Sequence, residues 1–215
     1  MNGVLQLQHN RTLIDFSDGR FRSAQEHFRT YSYLKLPGFV EASLLSQLLD
    51  VLDRTPFYER VHPGIGTEIC ASPGPATGAL ELMMNDVALQ AFVSDLTGCG
   101  PIGCYEGRIY RLNPADGHYD SWHSDVGQDR LLAVSVNLCR NPFEGGRLQI
   151  RRADADEILA EVDNPTPGDA VMFLVDPSMR HRVASVTGLH PRTAWAGWFR
   201  SAPRFADLLH ERLAS

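Results

Sequence analysis

The sequence predicts a mainly β fold, a barrel or double sheet of about eight strands, with helices before it that cover one sheet face. Beyond residue 100, apolar residues alternate with a period of two in short segments, which indicates strands. Turn-forming pairs such as Asn141-Pro142 and Gly145-Gly146 separate these segments. The predicted strands span residues 104–112, 130–139, 147–152, 156–162, 169–175, 181–186 and 193–200.

The first hundred residues follow other patterns. Segments 41–52 and 86–96 repeat apolar residues at helical spacing, which predicts two amphipathic helices. Residues 31–36 are typical of a strand, whereas residues 1–30 show only the weak alternation of a short strand or hairpin. Segment 55–78 contains four prolines and four glycines. We therefore expect a long loop there, one that acts as a lid or shapes a substrate site.

We expect residues 1–215 to form a single domain, because no linker or shift in composition divides the chain. Residues 1–100 are the expected helical and loop support region, and residues 101–200 the β core. Residues 201–215 are expected to close the chain as a helix.

The charge and apolar content of the chain argue against several classes of function. The formal net charge of −6 predicts no binding to nucleic acid, which needs a basic surface. No apolar run reaches membrane-spanning length and the N-terminus lacks signal-peptide features, so we expect no membrane partner and a cytoplasmic location. The four cysteines form no Cys-x-x-Cys pair and are interpreted as reduced thiols.

Two histidines and one carboxylate form the candidate metal site. His123 and Asp125 are two residues apart and therefore point the same way from one strand end. His181 follows the turn at residues 176–178 and offers a third ligand. Two imidazoles and one carboxylate on one octahedral face, with the opposite face open, suit ferrous iron that activates dioxygen.

An arginine eleven residues after His181 completes the constellation. We expect His181 and Arg192 on adjacent strands of a hairpin that turns around Gly188, with an offset of roughly 10–17 Å at about 3.3 Å per residue. A five-carbon dicarboxylate that chelates the metal can bridge that offset, and a guanidinium binds a carboxylate by two parallel bonds. If Arg192 faces inward, so do Ala194 and Ala196, which leave room for a cosubstrate.

A second His-x-Asp sequence, His118-Tyr119-Asp120, is the minor candidate for the metal site, because it precedes the predicted barrel strand. Trp122 and Trp198 are interpreted as packing residues rather than substrate contacts.

The order and spacing of these motifs match a known family. They are His123-Ser124-Asp125, the apolar strand 131–138, Gly145-Gly146, Gly168-Asp169 before Val171-Met172-Phe173, His181-Arg182-Val183, and Arg192 before the aromatic strand 195–199. This run, from about residue 110 to 199, resembles the iron(II)- and 2-oxoglutarate-dependent oxygenases, especially their prolyl-hydroxylase-like branch. The resemblance covers a little under half of the chain.

The resemblance implies a double-stranded β-helix (jelly-roll) core with the N-terminal helices packed on one sheet. It implies that His123, Asp125 and His181 bind Fe(II), with 2-oxoglutarate as cosubstrate and ascorbate as an optional reductant. Arg192 then holds the distal carboxylate of 2-oxoglutarate. Asn137 falls where animal hydroxylases of this branch place a tyrosine for the same carboxylate, which is a departure from the pattern.

Two tyrosines upstream, Tyr110 and Tyr119, are further candidates for contact with the cosubstrate, and the alternative for both is a strand aromatic with a satisfied hydroxyl. The implied reaction hydroxylates an unactivated C–H bond of a peptide, a protein side chain or a small molecule, with release of succinate and carbon dioxide. Related halogenases replace the carboxylate ligand by glycine or alanine, so Asp125 favours hydroxylation.

Two other functions stay open on the sequence alone. A cupin-like metalloenzyme without 2-oxoglutarate would have the same type of fold, but Arg192 would then have no dicarboxylate to bind. A non-catalytic jelly-roll binding protein would not need the intact set of His123, Asp125 and His181.

Overall fold

The structure is a computed structural model that describes residues 4–15 and 17–214. Its strands are β1 (Leu5–Gln8), β2 (Arg11–Ile14), β3 (Tyr33–Leu36), β4 (Phe57–His62), β5 (Gly66–Ala71), β6 (Cys104–Leu112), β7 (Tyr119–Asp120), β8 (Arg130–Asn137), β9 (Glu144–Gly145), β10 (Leu148–Arg152), β11 (Ile158–Val162), β12 (Ala170–Leu174), β13 (Met179–Val183), β14 (Val186–Thr187) and β15 (Arg192–Arg200). Its helices are α1 (Asp18–Tyr31), α2 (Ala42–Leu52), α3 (Pro75–Met84), α4 (Val87–Thr97) and α5 (Phe205–Ala214).

Two antiparallel sheets form the core. The main sheet has the order β3-β12-β8-β15-β6-β5-β4, and β7 pairs with β5 at its edge. The small sheet has the order β11-β10-β13, and β9 pairs with β14 beside it. This arrangement confirms the predicted mainly β, jelly-roll type of core, and the strands predicted after residue 100 agree with the observed ones to within two or three residues at most ends.

The two faces of the main sheet bury different partners because strand residues alternate between faces. On one face, Met172 of β12 and Trp195 of β15 join the large apolar cluster that includes the helices α2, α3 and α4. On the other face, Val171 and Phe173 pack against Ile150 of the small sheet. The helices thus cover one sheet face, as predicted, and the space between the two sheets is left for a site. Of the helices in the described ranges, none is long and apolar enough to cross a membrane.

Helix α1 was not predicted from the sequence. Most of its residues are polar, but Phe21, Ala24 and Phe28 recur at helical spacing. Phe28 is buried, and the Phe21 ring lies 5.4 Å from the ring of Phe92 on α4. These three residues give a weak stripe, and packing on α4 rather than local pattern stabilises the helix.

The expectation of a long loop over residues 55–78 is wrong. Strands β4 and β5 form a hairpin there, and helix α3 follows from Pro75. The prolines and glycines that suggested a loop mark the ends of these elements: Pro63 and Gly64 form the turn, and Gly74 precedes the helix. The hairpin is an integral part of the main sheet, because β5 pairs with both β6 and β7.

The expectation of a hairpin that joins His181 to Arg192 is also wrong. His181 lies on β13, which pairs with β10 in the small sheet. Arg192 begins β15, which pairs with β6 and β8 in the main sheet. The chain crosses between the two sheets after β13, so the two residues face each other across the intervening space instead of lying side by side.

Candidate active site

A cavity of about 470 Å³ lies between the two sheets. This volume falls within the range of small-molecule sites, roughly 300–1,000 Å³. His123, Asp125, His181 and Arg192 all line it. The structure thus brings together the four residues that the sequence singled out.

A backbone bridge holds the two histidines next to each other. His123 N donates to His181 O at 3.1 Å, and His181 N donates to His123 O at 3.0 Å. The two rings have centroids 4.3 Å apart. His123 lies in this isolated bridge and Asp125 lies outside regular strands, so the bridge, rather than the parity of a long strand, positions the first two residues of the set.

The three side chains converge on one point. Asp125 Oδ2 lies 3.2 Å from His181 Nε2, and Asp125 Oδ1 lies 3.8 Å from His123 Nε2. One potential ligand atom from each residue lies within 4.8 Å of the other two. Two imidazole nitrogens and one carboxylate that approach from one side fit a ferrous ion with an open opposite face.

The carboxyl of Asp125 is held in its charged form. Burial alone would raise its pKa, but the hydrogen bond and charge of His181 outweigh burial and lower the pKa to about 2. Trp198 contributes as well, because its Nε1 donates to Asp125 Oδ2 at 2.7 Å. Trp198, interpreted from the sequence as a packing residue, therefore also orients a proposed metal ligand.

Asp120, part of the minor His-x-Asp candidate, lies behind His123. Its Oδ1 is 3.3 Å from His123 Nδ1, and its Oδ2 accepts from Val183 N at 2.7 Å. Burial raises the pKa of Asp120, against the opposing charge of His123. The carbonyl of Ser121 accepts from the same His123 nitrogen at 2.7 Å, which leaves Nε2 free to point at a metal.

Arg192 forms the second half of the cavity floor. It is buried, with only 6 % of its surface exposed. Its Nη1 donates to the Tyr110 hydroxyl at 2.7 Å, and its Nη2 donates to Ser135 Oγ at 3.0 Å. Because the hydroxyls of Tyr110 and Ser135 accept from Arg192, each hydroxyl can donate its proton to a ligand oxygen. Burial raises the pKa of Tyr110, against the effect of Arg192, so the phenol keeps that proton.

The hairpin β4–β5 contributes charged residues to the cavity that were not predicted from the sequence. Glu68 of β5 is buried and accepts from Arg108 of β6 through Nε at 2.6 Å and Nη2 at 3.1 Å. His62 Nε2 lies 2.9 Å from the same carboxylate. These residues line the cavity together with Arg60. Glu68 and Arg108 are 40 positions apart, so no local pattern indicates their contact.

Comparison with known proteins adds a family to this geometry. Residues 107–200 match the family described as the 2OG-Fe(II) oxygenase superfamily. This segment is similar to that superfamily. It begins within β6, ends with β15 and contains all four residues of the predicted constellation. The likeness implies Fe(II) and 2-oxoglutarate as the cofactor and the cosubstrate of an oxidoreductase.

Solved structures support the oxygenase fold over a larger part of the chain. A prolyl-4-hydroxylase from Pseudomonas putida is 21% identical, with a TM-score of 0.66 over 85% of this chain and 99% of that one. A prolyl hydroxylase from Trichoplax adhaerens, in complex with a hypoxia inducible factor oxygen degradation domain peptide fragment, is 17% identical, with a TM-score of 0.65 over 84% and 90%. SnoN, a non-heme alpha ketoglutarate dependent epimerase from nogalamycin biosynthesis, is 14% identical, with a TM-score of 0.62 over 86% and 84%. No curated protein matches the chain.

Two cosubstrate candidates of the oxygenase segment lie away from Arg192's hydrogen bonds. Asn137 is buried but is not among the cavity-lining residues; its Nδ2 donates to Asn164 O at 2.9 Å, and its Oδ1 accepts from Cys139 N at 2.7 Å. Its amide therefore supports the turns around it, and Ser135 replaces it beside the arginine. Tyr119 lines the cavity from β7 but is half exposed.

The Gly145-Gly146 turn of the oxygenase motif gives Arg192 its space. Gly146 has φ +65°, and a Cβ there would lie 2.7 Å from Arg192 Cδ. Ala196 lines the cavity and Ala194 is fully buried beneath it, on the same face of β15 as Arg192. Small residues around the arginine thus leave volume for a ligand at its guanidinium.

Proposed function

We propose that the protein is an Fe(II)- and 2-oxoglutarate-dependent dioxygenase that hydroxylates an unactivated C–H bond. The observation that carries this proposal is that one cavity contains both a His/Asp/His cluster and a buried arginine with two hydroxyl partners. Cupin-like enzymes without 2-oxoglutarate have no dicarboxylate for such an arginine to bind. A binding protein without catalysis would not need the converging cluster.

In this proposal, His123 and His181 bind the metal through Nε2, and Asp125 binds it through a carboxylate oxygen. Bound iron, with 2-oxoglutarate and dioxygen, supplies the oxidising chemistry. Arg192 and the hydroxyls of Tyr110 and Ser135 orient the distal carboxylate of the cosubstrate. Because Asp125 is present where halogenases have glycine or alanine, we propose oxygen transfer rather than halogen transfer.

Apolar side chains and a backbone carbonyl surround the His/Asp/His cluster. Phe173 packs its ring edge against His181, with centroids 4.7 Å apart. Val171 and Leu148 line the same wall and are buried. This apolar side strengthens electrostatic contacts inside the cavity and protects reactive species from water. Ser121 O holds the proton on His123 Nδ1.

We propose that the substrate is a small molecule or a peptidyl side chain. We also propose that residues 1–215 form one oxygenase domain. The likeness to a peptide-bound hydroxylase and to an epimerase of nogalamycin biosynthesis is compatible with either type. We further propose that the enzyme acts in the cytoplasm without nucleic acid, in keeping with four free thiols and a net charge of −6. Cell fractionation with a tagged chain tests the location.

The decisive experiment measures 2-oxoglutarate binding to the Mn(II)-loaded protein by calorimetry, and Fe(II)-dependent succinate formation. Arg192→Gln should weaken 2-oxoglutarate binding by roughly a hundredfold, because two charge-assisted hydrogen bonds to the carboxylate are lost. Arg111→Gln is the matched control, because Arg111 lies on the other face of β6 and donates to Thr193 Oγ1. Equal 2-oxoglutarate affinities in wild type and Arg192→Gln would refute the proposed function.

A further inference from the structure

The cavity wall beside the proposed metal site is positively charged. Apart from Asp120 and the residues assigned to metal and cosubstrate, four arginines and two glutamates line the cavity: Arg60, Arg108, Arg130, Arg200, Glu68 and Glu106. We call these six residues the cationic wall. The chain as a whole carries a net charge of −6. The excess of arginine is therefore a local feature of the cavity and not a property of the surface.

Two of the four arginines are already used within the protein. Arg200 forms an ion pair with Glu106 and donates from Nε to Gln128 O at 2.7 Å. Arg130 stacks on the Trp198 ring, 3.7 Å from its centroid, and its Nη1 lies 3.6 Å from an oxygen of Asp125. Arg130 Nη2 also donates to Gln128 Oε1 at 2.8 Å, and its unpaired Nε is buried. We therefore assign ligand binding to Arg60 and Arg108.

Arg108 is held rigidly with one donor group to spare. Its Nε and Nη2 donate to the two oxygens of Glu68. His62 and Cys70 contact the same carboxylate, at 2.9 and 3.3 Å, and fix it in turn. Within residues 4–15 and 17–214, Nη1 of Arg108 has no hydrogen-bond partner. A buried carboxylate that grips one edge of a guanidinium pre-organises the other edge.

Arg60 adds a second guanidinium next to this pair. In the β4–β5 hairpin it lies directly opposite Glu68, so both side chains project from the same face of the sheet. Arg60 is exposed and, in the part of the chain that the structure describes, forms no ion pair or hydrogen bond. Glu68 forms its ion pair with Arg108, so the charge of Arg60 is left without an ion-pair partner among the described residues.

The wall lies close to the proposed reaction centre. The Arg108 guanidinium lies 5.7 Å from the ring centroid of Trp198, whose Nε1 binds Asp125. On the same face of the main sheet, three strands away on β12, Val171 and Phe173 offer an apolar surface. A ligand that bridges these two sides must carry an anionic group at one end and an apolar body near the metal.

We propose that the substrate is a compact organic acid, whose carboxylate or phosphate monoester binds Arg108 Nη1 and Arg60 while its apolar body lies against Phe173 and Val171. This proposal names the substrate class of the cavity and rests on the proposed oxygenase function. The anion site uses a different arginine from the cosubstrate site, because Arg108 is bound to Glu68 whereas Arg192 is bound to Tyr110 and Ser135.

The test is a calorimetric binding panel with the full chain, loaded with Mn(II) and 2-oxoglutarate. Carboxylic acids and phosphate monoesters of matched size form separate arms, and each acid is paired with its neutral amide. The variants are Arg60→Gln and the double change Arg108→Gln with Glu68→Gln, which removes both charges together and leaves no unpaired buried ion. Arg54→Gln, an exposed arginine outside the cavity lining, is the control.

We expect at least one acid to bind while its amide binds at least tenfold more weakly. We expect its affinity to fall about threefold in Arg60→Gln and about tenfold or more in the double variant, because a buried charge-assisted bond contributes more than an exposed one. Arg54→Gln should match wild type. The Fe(II) form should then convert the bound acid to a product sixteen mass units heavier.

Equal binding of acids and amides would overturn the proposal, as would unchanged acid affinity in both wall variants. A loss of 2-oxoglutarate affinity in the double variant would also overturn it, because the wall would then serve the cosubstrate. Failure of the proposed function is a different result, in which 2-oxoglutarate does not bind the wild-type protein. Acid binding to the metal-free chain would in that case still support the anion site.

Discussion

Asp120 offers a sharp test of how the proposed metal centre is held together. Replacing it by asparagine preserves its size and one oxygen but removes the negative charge. The remaining amide oxygen can still accept from Val183 N, which Asp120 now binds at 2.7 Å. In wild type, Asp120 Oδ1 lies 3.3 Å from His123 Nδ1. In Asp120→Asn, the amide N–H group faces this nitrogen, so a donor replaces the negative charge beside the proposed iron ligand His123.

The expected magnitude follows from what remains in place. Outer partners of metal-bound histidines typically contribute about 10–100-fold to metal affinity. Ser121 O still accepts from His123 Nδ1 at 2.7 Å, so the ring keeps its tautomer in Asp120→Asn. We therefore expect the low end of the range, about tenfold or about 1.4 kcal/mol. Asp120→Ala should lose about a hundredfold, because Val183 N next to His181 also loses its acceptor.

Anaerobic titration with Fe(II), repeated with Mn(II), measures both variants. Asp116→Asn is the control, because Asp116 is an exposed aspartate of the preceding turn that binds Asn113 instead. Its metal affinity should equal that of wild type. If Asp120→Asn binds metal within twofold of wild type, the carboxylate charge behind His123 has no role in metal binding, and the reasoning is refuted.

Three further predictions concern other parts of the cavity. Asp125→Ala should abolish Fe(II)-dependent succinate formation, since it removes the only carboxylate of the proposed ligand set; full succinate production would contradict the assignment. Gly146→Ala should weaken 2-oxoglutarate binding about tenfold by pushing Arg192 aside and straining a residue with φ +65°, whereas Gly64→Ala, with φ +74° and open space around it, tests strain alone. Glu68→Gln should destabilise the fold by about 3 kcal/mol at pH 7, since it leaves Arg108 unpaired. Burial raises the pKa of Glu68, but the hydrogen bond and charge of Arg108 and the hydrogen bonds of His62 and Cys70 together lower it below its usual value. The contribution of this carboxylate to stability is therefore lost as the pH falls below about 4.3. Urea denaturation at pH 7 and below about pH 4.3 measures the difference in unfolding free energy between Glu68→Gln and wild type. This difference should shrink in acid, and a constant difference would contradict the prediction.

The strands of the core could be predicted from the sequence because their signal is local. Residues 170–174 are apolar throughout, because one face of this strand packs on the helices and the other on the small sheet. In 104–112, Tyr105 and Ile109 join the cluster with the helices, whereas Tyr110 and Leu112 line the cavity. Helix α2 was predicted for the same reason, because Leu44, Leu48 and Leu52 form one buried stripe. Helix α1 lacks such a stripe, and its stability depends on contacts with α4 that the sequence does not reveal.

The composition of segment 55–78 predicts a loop, whereas the positions of its prolines and glycines agree with the hairpin β4–β5. Its prolines and glycines lie before, between and after the strands, where they terminate regular structure. Gly66 inside β5 has a different reason, since a Cβ there would collide with the backbone of Tyr119 on β7. Residues such as Tyr58 and Val61 between the breakers are good strand formers. Reading the breakers as boundaries would have placed Glu68 on a strand beside the cavity.

The proposed metal ligands could be found from spacing because the backbone brings them together. The bridge between His123 and His181 is made by backbone hydrogen bonds, so it places the two residues side by side whatever their side chains contact. The partners of those ligands follow no such rule. Trp198 reaches Asp125 from 73 positions away, and Ser135 reaches Arg192 from 57 positions away. Such contacts depend on the order and register of the strands in the main sheet, which local sequence patterns do not give. Motif spacing therefore predicts the metal and the cosubstrate, whereas the residues that select a substrate become visible only when the two sheets are assembled.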